Sequence, residues 1–153
     1  MKALKTKKRS RLPDWELRLF NFLQDARSSS LEWGEFDCVI GLASGAVLAQ
    51  TGVDLAAPFK GKYSNEKGAM KFLLKNKAAS EEDDLTSALI NLMDMFLQRA
   101  PKGNRHRGNI VLLVSEEGPG FGVRVGSKVA GLSRSGGIRL FRPPSGSLEW
   151  VVV

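Results

Sequence analysis

The residue of this chain best suited to covalent chemistry is its single cysteine, Cys38, in Trp33-Gly34-Glu35-Phe36-Asp37-Cys38. The apolar residues after it, Val39, Ile40, Leu42, Ala43, Ala46, Val47 and Ala49, give the broad buried face of a helix over about 38–50. Cys38 therefore stands in the first helical turn. There the unpaired N–H groups and the helix dipole favour a thiolate. Asp37 is placed to cap that turn, its side-chain oxygen accepting from free backbone N–H groups. A thiol nucleophile also needs a positioned base. The chain holds one histidine, His106, in the basic loop Pro101–Gly108. Its neighbours Arg105 and Arg107 disfavour the imidazolium that a general base must become. The plainer reading makes Cys38 a small buried hydrophobe and His106 an exposed loop residue. One cysteine and one histidine exclude a disulfide framework and a metal site built on several such ligands. No cofactor is expected.

The elements that must position these residues follow from periodicity. Trp15, Leu19, Phe22, Leu23 and Ala26 recur at helical spacing, with Pro13 ahead of them, so about 13–27 is predicted helical. Thr51-Gly52 is a stop for the Cys38 helix. Gly41 and Gly45, poor helix formers, imply a close neighbour against a flat helix surface. A shorter helix is expected through Ala69, Met70, Phe72, Leu73 and Leu74. Another is expected over about 81–99, opening on acidic residues that suit its dipole. After Gly108 the period changes. Residues 110–114, 121–125, 128–132, 138–141 and 148–153 read as five strands of an antiparallel meander. Helices first and strands second give an α+β fold class. Trp33 is expected to anchor the loop before Cys38.

The 153 residues fit one domain, and no segment is apolar enough for a signal peptide or a membrane span. The net charge of +7 is uneven: Lys2, Lys5, Lys7, Lys8, Arg9 and Arg11 carry six charges, leaving +1 for the rest. The basicity is thus expected in a flexible tail, residues 1–12, ahead of one domain, 13–153. Such a tail suits an acidic partner surface or nucleic acid, through those six cations.

A first helix, a cysteine-headed helix and then an antiparallel sheet is also the order of the NlpC-type papain-like peptidases. Trp33-Gly34, Asp37-Cys38, Thr51-Gly52-Val53-Asp54, Gly61-Lys62-Tyr63-Ser64, Arg107-Gly108-Asn109-Ile110, Phe121-Gly122-Val123-Arg124-Val125-Gly126, Gly131-Leu132 and Leu148-Glu149-Trp150 carry the likeness. Over about 13–152 the chain resembles small NlpC-like proteins of phages and prophages, often encoded near tail genes. The resemblance implies a papain-like α+β fold. It also aligns the catalytic histidine position with Gly120, and the imidazole-orienting position with Ala130 or Gly131. It therefore implies a catalytically degenerate domain used as a structural part of a tailed-phage virion, in the tail or its tip. That protein would be made in the host cytoplasm and located in the virion, with other tail proteins as partners. The alternative is an active cysteine hydrolase on peptidoglycan peptides or amides, with Cys38 as nucleophile and His106 as substitute base. A nucleic-acid-binding role through the basic tail is a third expectation.

Overall fold

The computed structural model describes residues 9–75, 84–116 and 118–153, with the backbone but not the side chain of Cys38. These form an α+β fold in which four α-helices and one π-helical segment accompany a six-stranded antiparallel sheet. Helix α1 is Trp15–Ala26, and a π-helix covers Cys38–Ala43. It runs directly into α2, Ser44–Thr51; α3 is Glu66–Lys75 and α4 is Leu85–Phe96.

The Cys38 helix is as apolar as its sequence implies, with Leu42, Ala46 and Val47 fully buried. Its glycines explain how it fits. A Cβ on Gly45 would enter the ring of Phe22 on α1, and one on Gly41 would enter the ring of Phe36. The helix is clamped between two aromatic rings that only glycine admits. It ends at Gly52, whose left-handed backbone (φ 77°) returns an N–H to Leu48 O. Arg18 ties α1 to its end through Ala49 O, at 2.8 Å.

Asp84 caps α4 by accepting from Ser87 N at 2.7 Å. Residues 81–83 of the expected acidic opening lie outside the described residues. The helix ends earlier than its periodicity suggests. Leu97 turns extended and stays buried, and Gln98–Arg99 become β1, paired with Val151 and Trp150. The remaining strands are β2 (Ile110–Ser115), β3 (Gly118–Arg124), β4 (Val129–Leu132), β5 (Ile138–Phe141) and β6 (Glu149–Val151).

The strand order is β1-β6-β2-β3-β4-β5. A simple meander is therefore a correction: β2 to β5 are consecutive, but β6 returns to insert between β1 and β2. One sheet face carries Ile110, Leu112, Phe121, Val123 and Trp150 into the core shared with the helices. Phe121 and Trp150 meet edge-to-face there, 5.7 Å apart. On the other face glycines leave room for close side-chain packing. Cβ atoms at Gly122 and Gly131 would collide with Leu113. That face buries an ion pair, Arg124 to Glu149, at 2.7 Å and 2.9 Å. Asn109 Nδ2 donates to the same carboxylate at 2.7 Å.

The chain joins the body earlier than a tail of 1–12 would. Leu12 N donates to Gln50 O at 2.8 Å. Arg11 donates to Gln50 Oε1 at 3.0 Å and lies over the Trp15 ring, 4.1 Å from its centroid. Arg9 donates to Phe96 O. Arg9 and Arg11, expected in a free basic tail, are thus engaged within the fold, because Gln50 and Phe96 offer acceptors at helix ends. Lys2, Lys5, Lys7 and Lys8 lie outside the described residues.

Candidate functional site

The start of the Cys38 helix is built around the carboxylate of Asp37, which is 1% exposed. Its Oδ1 accepts from Val39 N and Ile40 N, both at 2.9 Å. Its Oδ2 accepts from Gly34 N at 3.1 Å and Tyr63 OH at 2.9 Å. The capping role expected of Asp37 is therefore present, with two further donors supplied from outside the helix. Gly34, at φ 84°, lies so close to Tyr63 O that no side chain fits, and its carbonyl accepts from Gly61 N at 2.9 Å. Loop 32–36 closes on itself through paired Glu32 and Phe36 backbone bonds, both 2.8 Å.

The first turns are wide. Asp37 O accepts from both Gly41 N and Leu42 N, at 3.0 and 3.1 Å, and Ser44 Oγ reaches back to Val39 O at 2.7 Å. Such π-type widening inside a helix often marks a functional site. The helix around it packs on β3 and β4.

A cavity of about 230 Å³ opens beside this helix start. The loop residues Leu31, Trp33 and Asp37 form one wall, and the β2–β3 hairpin with Leu113 and Gly120 forms another. Trp33, half-buried, lines this cavity and a smaller apolar one with Phe59, Tyr63 and Leu92, and the bonds of Asp37 and Gly34 hold the loop as well.

Cys38 has its backbone at the first position of the π-helix, as the sequence implies. Gly120, where the resemblance to NlpC-type peptidases would place a histidine, lines the cavity and is paired in register with Leu113. Ala130 is buried opposite Val123, and Gly131 packs under Leu113 and Phe141. None of these can hold or orient a proton. Asp37 and the rim arginines Arg134 and Arg142 are the ionisable side chains in the described lining, and no imidazole is among them.

His106 lies elsewhere. It is exposed, before β2, and its carbonyl accepts from Asn109 N. The adjoining Gly108 is bonded to Gln50 at the far end of α2. Cys38 and Gln50 are opposite ends of one helical run, roughly 18 Å apart at about 1.5 Å per residue. Loop 101–108, which carries His106, is thus tied to the Gln50 end of this run, away from the helix start where Cys38 has its backbone.

Two features were not anticipated from sequence. The Tyr63–Asp37 bond joins residues from separate loops, and only the short Gly61-Lys62-Tyr63 stretch hinted at it. The Arg124–Glu149 pair joins β3 to β6 on the sheet face away from the helices, and no local pattern pairs them. Among the described residues no group of three His, Cys, Asp or Glu side chains could hold a metal ion, and no helix is long and apolar enough to cross a membrane.

No curated protein matches the chain, and no solved structure does. A family model, described as a domain of unknown function (DUF6950), matches residues 10–150, and the chain belongs to that family.

Proposed function

We propose that this protein is a non-hydrolytic, NlpC-like domain that serves as a structural component of a tailed-phage virion, in the tail or at its tip. The observation that carries this reading is the lining of the cavity at the Cys38 helix start. A cysteine hydrolase needs a base for the thiol, an acid for the leaving amine and a group to hold the imidazole. The aligned positions carry Gly120 and Ala130 or Gly131, and Leu113 and Phe141 fill the space over Gly131. The Asp37 carboxylate is spent on four donors that organise the loop. What remains is a well-braced scaffold. The resemblance in element order to small NlpC-like phage proteins gives that scaffold its setting.

The competing reading is a cysteine hydrolase on peptidoglycan peptides or amides, and it draws on the helix-start position of Cys38. Purified protein is incubated with peptidoglycan beside the Cys38→Ala and His106→Ala variants, and new amino groups are counted. The structural reading expects no turnover from any of the three. Turnover by the parent that Cys38→Ala abolishes would make the protein a hydrolase.

A further inference from the structure

The end of the molecule remote from the cavity gathers cations that are scattered in the sequence. Gly108 N donates to Arg124 O, and Val125 N donates to Lys128 O, both at 2.9 Å. These bonds set loop 101–109 beside the β3–β4 turn. Lys102, Arg105, Arg107 and Lys128 are all exposed there. Among the described residues none of the four has an acidic partner. Asp94, on α4, is engaged by Arg99 and Trp150.

The loop that displays them is braced. Asn104 N donates to Pro101 O, at 2.9 Å, and Asn109 N donates to His106 O, at 3.2 Å, making two successive turns. Asn109 Nδ2 also reaches Asn104 Oδ1 at 3.2 Å. From outside, Arg11 Nη2 donates to Arg107 O at 3.2 Å, and Gln50 Nε2 donates to Gly108 O at 2.9 Å. A charged loop fixed in this way loses little conformational freedom on binding. No large apolar side chain is exposed on this stretch, whereas protein partners are anchored by buried aromatic and apolar contacts. Repeated cations without an apolar centre match a regular row of phosphates, which position a protein but carry no sequence information.

We propose that this end is a docking surface for the phosphate backbone of double-stranded nucleic acid, with Lys102, Arg105, Arg107 and Lys128 as its cations. It is distinct from the cavity and does not depend on the virion reading. The four lysines at 2, 5, 7 and 8 precede Arg9 in the chain, and the surface is defined without them.

The test is fluorescence anisotropy of a labelled duplex of arbitrary sequence with the full chain, titrated between about 50 and 200 mM salt. Each phosphate contact contributes about −0.9 to the slope of log K against log salt. Lys102→Gln, Arg105→Gln and Arg107→Gln together are expected to make the slope shallower by about three. Lys128→Gln alone is expected to make it shallower by about one. A control triple, Lys60→Gln, Lys62→Gln and Arg139→Gln, removes equal charge at exposed positions elsewhere and is expected to leave the slope unchanged. Circular dichroism confirms that each variant folds. Equal losses in the loop and control triples, or no loss in either, would overturn the proposal. Tighter binding of polyglutamate than of duplex would also overturn it, in favour of an acidic protein partner.

Discussion

Replacing Asp37 by alanine is expected to unfold this domain more readily than any other single truncation in the loop before Cys38. The carboxylate is 1% exposed and accepts from three backbone N–H groups and the Tyr63 hydroxyl, at 2.9 to 3.1 Å. Alanine removes the acceptor that all four share. A buried donor left unmet costs about 1–3 kcal/mol. Water admitted at the helix start can serve some of them, so about 1 kcal/mol each is the appropriate scale, or about 4 kcal/mol in all. For a domain of this size each kcal/mol corresponds to about 2–4 °C, so the melting temperature should fall by roughly 8–16 °C. Asp37→Asn separates this from simple loss of volume. Its Oδ1 still serves Val39 and Ile40, but its amide sets a donor against Gly34 N–H, so about half the loss is expected. The assay is urea unfolding followed by tryptophan fluorescence. An Asp37→Ala variant within about 1 kcal/mol of the parent, or an Asn variant as damaged as Ala, would refute the reasoning.

Gly45→Val should cost about 1–3 kcal/mol by overpacking against Phe22, read as a lowered urea midpoint at unchanged slope. Glu149→Ala should cost about 3–5 kcal/mol, because it strands a buried guanidinium. Replacing Arg124 and Glu149 together by apolar residues should recover much of that loss, as a double-mutant cycle would measure. Asp94 is held below the usual carboxylate range, first by its hydrogen bonds from Arg99 and then by that from Trp150 Nε1. Its folded-state pKa is depressed. Its stabilising contribution is therefore complete above the unfolded value near 3.9 and is lost as pH falls through the folded value. Asp94→Asn should flatten the decline of stability below about pH 4, measured by urea unfolding at stepped pH.

Much of the fold was legible because local rules governed it. The α+β order follows from a change of period at Gly108, and the Asp37 cap and the Gly52 stop are short-range backbone chemistry. Gly41 and Gly45 announced close neighbours, and Phe36 and Phe22 are those neighbours. What could not be read depends on distant pairing. Residues Gln98–Arg99 form a strand only because β6 offers them a ladder. The insertion of β6 beside β2 is set by tertiary packing. Tyr63 reaches Asp37 across 26 residues, and no local pattern encodes that. The same applies to His106. Sequence placed it in a basic loop before a strand, but only the bond of Gln50 to Gly108 reveals that the loop belongs to the far end of the Cys38 helix.

The central claim, that the Cys38 helix is scaffold rather than catalyst, is tested most directly by complementation. Under the proposed virion role, a phage or prophage lacking this gene is supplied with the parent protein, Cys38→Ala or Gly45→Val, and the yield of infectious particles is measured. The account predicts that loss of the gene lowers the yield, that Cys38→Ala restores it like the parent, and that Gly45→Val, which disturbs packing and leaves the thiol in place, restores it poorly. A Cys38→Ala protein that folds normally but fails to restore infectivity, while Gly45→Val succeeds, would contradict the account.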